Sequence, residues 1–110
     1  MAKNETIFFT KEGRLEQAAG GVSTTITTAG VDGSKLLDLR LTSGAPTSID
    51  IQINGVTIAT FNSPAVGDRL MNATPVDKNG NNYLNLPPGA AINFTPVGAT
   101  VIVMAYLEDY

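Results

Sequence analysis

Any chemistry this chain performs must use carboxylates, hydroxyls and amides, because it has neither histidine nor cysteine. The first absence removes the commonest general base and the commonest transition-metal ligand. The second removes thiol catalysis, thiolate metal sites and disulfides together. The carboxylates Asp32, Asp38, Asp50, Asp68 and Asp77 are scattered among turns and alternating polar positions. A glycosidase needs two acids facing each other across the scissile bond, and two such groups can meet in space. Sugar clefts lean on aromatic platforms, however, and this chain has no Trp and three Tyr. Asp77-Lys78-Asn79-Gly80-Asn81-Asn82 has something of a calcium loop, but Asp77 is its lone carboxylate. The bidentate Glu that should close such a loop is Leu86 instead. The stretch reads as a polar turn built on Asn-Gly geometry. Gly30-Val31-Asp32-Gly33-Ser34 lacks the Lys of a phosphate loop and reads as a tight turn. Asn4-Glu5-Thr6, Asn72-Ala73-Thr74 and Asn93-Phe94-Thr95 match the glycosylation pattern. They matter only in a secreted protein, and the first residues show no apolar signal segment. The expectation is a protein that is not an enzyme and holds no cofactor and no metal.

Charge narrows the partners. Seven basic and ten acidic residues give a formal net charge of −3, with no Lys/Arg cluster. Nucleic-acid binding by counterion release needs such a cluster, so no nucleic-acid partner is expected. No run of apolar residues is long enough for a membrane span. Charged residues make up only 15% of the chain against 43% apolar, a low charge for the surface of a free monomer.

The elements that must position these residues are strands. Ser48 to Phe61 reads as a β-hairpin: Ile49, Ile51 and Ile53 alternate with Asp50 and Gln52, and Asn54-Gly55 supplies the turn. A two-residue loop would pair Ile53 with Val56, Ile51 with Ile58 and Ile49 with Thr60. That register puts Ile53, Val56, Ile51 and Ile58 on one face. Val22 to Thr28 is β-branched almost throughout and fits a strand. In Ser34 to Ser43, Leu37, Leu39 and Leu41 should face inward, with Asp38, Arg40 and Thr42 outward. Val66 to Ala73 carries a weak strand signal, and Thr74 to Asn82 is the longest loop. Tyr83 to Leu86 and Ala91 to Thr95 are short strands, followed by a turn at Pro96 to Ala99.

Thr100 to Leu107 is the last strand and the odd one. Val101, Val103, Ala105 and Leu107 share one face, while Ile102, Met104 and Tyr106 share the other. Both faces are apolar, so both should be covered. A two-layer sandwich covers one of them. The other needs the N-terminal segment with Phe8 and Phe9, the protein's own loops, or a neighbouring subunit. Residues 1–21 are expected to form an N-terminal arm, with one short strand at Thr6 to Thr10 and a loop or single turn around Arg14 to Ala19. Residues 22–110 are expected to form one all-β domain of seven to nine short antiparallel strands, a sandwich or barrel by the spacing of the turn signals.

A Thr-rich strand, the turn Ala29-Gly30-Val31-Asp32-Gly33-Ser34-Lys35, a Leu-rich strand and an apolar hairpin follow in order. A Leu86-Pro87-Pro88-Gly89 turn and an apolar strand running into Glu108-Asp109-Tyr110 complete the layout. Over residues 22–110 this layout resembles the small head decoration, or cement, proteins of tailed bacteriophages. The resemblance implies a jelly-roll β-sandwich on the outer surface of a virion capsid, without catalytic residues. It also implies binding between subunits of a major capsid protein, commonly as a homotrimer. The expected contact residues are Ile7, Phe8 and Phe9 of the arm, Val101, Val103 and Leu107 of the last strand, and Tyr110. The other reading with the same fold is a carbohydrate- or receptor-binding module of a phage tail or fibre.

Overall fold

A computed structural model describes residues 13–72 and 82–110, with no helix among them. Eight strands are formed: β1 (Gly13–Gly20), β2 (Thr24–Thr28), β3 (Ser34–Ser43), β4 (Ser48–Ile53), β5 (Val56–Asn62), β6 (Leu84–Leu86), β7 (Ala91–Val97) and β8 (Val101–Asp109). They make two four-stranded sheets, ordered β1-β8-β3-β6 and β2-β7-β4-β5, and every pairing is antiparallel. First pairs with last throughout: β1 with β8, β2 with β7, β3 with β6, β4 with β5. The chain is thus one long hairpin rolled so that its outer pair and its third pair fall in one sheet, its second and fourth in the other. The lateral pairings β8 to β3 and β7 to β4 close the roll. This is the connectivity of a jelly roll, and it answers a question that alternation of side chains leaves open.

The core forms where alternation turns apolar residues inward. Leu36, Leu39, Leu41, Val103 and Leu107 from one sheet meet Ile49, Ile51, Ile92 and Phe94 from the other, all fully buried. Three register irregularities adjust which residues reach it. A bulge at Leu37 brings Leu36 into the core and leaves the expected Leu37 half-buried, because Leu36 pairs with Leu107 and the next pair is Asp38 with Tyr106. A second bulge, at Thr42, lies between the Leu41 and Ser43 pairs of the same ladder. The hairpin also departs from the expected ladder. Ile53 pairs with Val56 as expected, but a bulge at Ile58 then moves the register by one residue. Ile51 pairs with Ala59 and Ile49 with Phe61, so Val56 and Ile58 are exposed and the four-residue apolar face does not form. The turn itself is as expected, with both Asn54 (φ 52°) and Gly55 (φ 80°) left-handed. Asn54 does more than turn the chain: its N–H donates to Ala91 O, and its Oδ1 accepts from Ala91 N–H, both at 2.9 Å.

Arg14 to Ala19, expected as a loop or single turn of an arm, belongs to edge strand β1. Its residues have moderate to good helix propensity, but six residues cannot sustain a helix alone. Pairing with β8 supplies the partner that a strand needs. No strand forms over the described part of residues 66–73. Leu70 and Met71 are buried there, and Leu70 N–H donates to Leu39 O while Asp68 O accepts from Leu41 N–H. This segment lies along the part of the β3 edge that short β6 does not reach. β7 runs on through Pro96, past its expected end. β2 reaches only to Phe94, so Pro96 sits where β7 lacks a partner on that side, a position proline tolerates. Residues expected to form a strand at Thr6 to Thr10 lie outside the described residues.

Candidate interaction surface

β8 is a middle strand, flanked by β1 and β3. Val101, Val103 and Leu107, expected to contact a partner, face the opposite sheet and are fully buried. They belong to the core of their own chain. The other face of β8 carries half-buried Ile102 and Met104 and exposed Tyr106. The register sets Ala19 beside Ile102, Gln17 beside Met104 and Leu15 beside Tyr106. Leu15 is 66% exposed. An apolar stripe therefore runs along the outer face of β1 and β8, with the Tyr106 ring lying over Gly13, where a Cβ would overlap it. Leu15 was missed as a surface residue. Its signal was the alternation Leu15, Gln17, Ala19, legible only once β1 is known to pair. Ile7, Phe8 and Phe9 lie outside the described residues.

Charges border the stripe on the β3 side. Asp38 pairs with Tyr106 and Arg40 with Met104. Arg40 Nε donates to Asp38 Oδ2 at 2.7 Å, and Arg69 Nε lies 3.3 Å from Asp38 Oδ1. Arg40 also donates to Gly67 O and Arg69 to Leu37 O. Two guanidinium groups on one carboxylate leave this border basic.

Tyr110 is exposed, and its N–H donates to Gly33 O at 3.1 Å while its hydroxyl donates to Asn85 Oδ1. Beside it, Asp109 accepts Arg14 Nε at 2.9 Å and Nη2 at 3.0 Å, a two-pronged pair, and the hydroxyl of buried Ser34 at 2.5 Å. Ser34 Oγ in turn accepts Gly30 N–H at 2.9 Å. Arg14 reaches across to the other sheet, donating to Thr27 Oγ1 and Thr28 O. The Arg14 and Ser34 hydrogen bonds hold the Asp109 carboxyl below the usual aspartate range, and Asp109 keeps the Arg14 guanidinium firmly protonated. This cluster ties β1, β2, β3 and β8 together at one end of the sandwich.

The remaining carboxylates occupy separate surfaces. Asp50 faces outward from β4 and accepts Thr60 Oγ1 at 2.7 Å, Asp68 accepts Ala65 N–H at 2.8 Å, and Asp32 is exposed in the turn before β3. Asp77, in the stretch resembling a calcium loop, lies outside the described residues. Among the described residues no group of acidic side chains is arranged to hold a metal ion. The outer face of the β2-β7-β4-β5 sheet is polar: Thr25, Asn93, Gln52 and Thr57 form one row by register, and Thr95, Asp50 and Thr60 the next.

The architecture defines the class: an eight-stranded jelly-roll sandwich with an apolar outer stripe on one sheet and a hydroxyl- and amide-rich outer face on the other. No protein-family model matches the chain, and comparison with curated proteins and with solved structures found no match.

Proposed function

We propose that the chain is a non-enzymatic virion structural protein that decorates a phage capsid and stabilises it by binding between major capsid subunits. The observation that carries this reading is the outer stripe of Leu15, Tyr106, Met104 and Ile102, apolar where a sandwich face ordinarily meets water. Its basic border at Arg40 and Arg69 suits a partner surface with an apolar centre and acidic rim. Burial of apolar area stabilises by about 25 cal/mol per Å2, and repetition over a shell multiplies a modest patch through avidity. The test is addition of the purified protein to shells that lack it. The expected result is saturable binding and a higher shell melting temperature, both lost in Leu15→Glu. Shells that neither bind the protein nor gain stability would refute the reading.

The polar rows on the opposite sheet favour one other reading, a carbohydrate- or receptor-binding module. Thr95 Oγ1 donates to Gln52 Oε1 at 3.1 Å there, the kind of hydroxyl and amide surface that glycans contact. A glycan array separates the two readings: specific glycan binding, abolished by Gln52→Ala, would favour this one.

A further inference from the structure

One end of the sandwich carries no charge. The register sets Gly20 beside Val101, Ser43 beside Ile102, and Ser48 beside both Val97 and Asn62. The loops 21–23, 44–47, 63–66 and 98–100 therefore leave the sheets at the same end. They touch one another. Thr47 N–H donates to Val97 O and Ser63 N–H to Thr47 O, both at 2.8 Å. Gly44 is left-handed (φ 102°), and a Cβ there would come 2.6 Å from Thr100 O; one at Gly21 would meet Thr100 Oγ1 at 3.0 Å. The four loops form one surface with its backbone hydrogen-bonded in place.

These loops contain only Gly, Ala, Val, Pro, Ser and Thr. The charge next along the chain, Asp68, turns its carboxylate back onto Ala65 N–H. Val22 (72% exposed), Val66 (60%) and, at the end of β7, Val97 (55%) stand out from the surface. The opposite end holds Arg14, Asp32, Lys35, Glu108 and Asp109.

We propose that this uncharged end is a self-association surface, through which copies of the chain meet. A net charge of −3 sets copies against one another, and the repulsion is least where their charges are farthest apart. Contact between two such ends desolvates no ion. Its side chains are short and its backbone is fixed, so little conformational freedom is lost on contact. A charged partner finds nothing to pair with here, whereas an identical surface offers valines to valines. This inference does not rest on shell binding, which was assigned to the outer face of β1 and β8, so the two fail separately.

Sedimentation equilibrium of the full chain, over a wide concentration range, tests it. The expected result is a reversible oligomer that dissociates on dilution and is not weakened by added salt, since no ion pair holds it. Val22→Glu, Val66→Glu and Val97→Glu, singly and together, should drive it to monomer, the triple variant weakening association by roughly 100-fold or more. All three side chains are exposed, and the circular dichroism of each variant should match the parent. Val31→Glu, at the opposite end, should leave association unchanged. A parent that is monomeric at every concentration would overturn the proposal. So would association that survives the glutamates, or that is lost in Leu15→Glu instead.

Discussion

Asp109 shows how one side chain can bind distant parts of a chain. Its partners Arg14 and Ser34 are 95 and 75 residues away in sequence, so nothing near Glu108-Asp109-Tyr110 signals the cluster. That is why sequence alone offers a solvated end or a hook for a partner at this place. The structure replaces both with an internal tie. Because its carboxyl is held below the usual aspartate value, the folded protein binds the Asp109 proton less readily than the unfolded chain. The stabilisation is therefore complete above the unfolded pKa, about 4, and is lost as pH falls through the lower folded value. Asp109→Asn should cost about 1 kcal/mol at neutral pH, a modest figure because solvent screens the pair. The difference from the parent should shrink towards zero in strong acid. Urea unfolding of both proteins at the two pH values checks this; an unchanged difference would mean that charge is not what Asp109 contributes.

Strands were legible where alternation and turn chemistry agreed. Asn54-Gly55 marks its turn because a type I′ turn demands left-handed backbone, and the chain obeys. Gly55→Ala should destabilise by about 1 kcal/mol, measured as a lower denaturation midpoint at unchanged slope. Its Cβ would meet no neighbour, so the cost is purely one of backbone conformation. Bulges were not legible. A single extra residue at Ile58 or Leu37 swaps every following side chain between faces, and no local residue type announces it. β1 was hidden for a different reason. Arg14 and Glu16 lie on its inner side and Leu15 on its outer side, the reverse of the usual pattern, because an edge strand overhangs the core and lets its inner polar groups bridge to β2. The same reversal hid the Leu15–Tyr106 stripe, half of which had been visible in the doubly apolar last strand.

On the scale of the whole molecule, composition and turn spacing sufficed for an all-β sandwich, but not for its winding. Strand order depends on pairings between residues as far apart as Gly13 and Glu108. That nested order has a consequence for the protein's birth. β8 is made after every other strand, yet it is the middle strand of its sheet, and both β1 and β3 wait for it. Synthesis proceeds from the N-terminus at about 5–20 residues per second, so a nascent chain must hold its greasy segments unpaired until Val101 to Asp109 clear the ribosome tunnel. Chains stalled before that point should be cut readily by protease along their whole exposed length, and chains stalled beyond it should resist. Chaperones that grip emerging polypeptides would find their longest opportunity here, in the seconds before the final ribbon slides between its two neighbours.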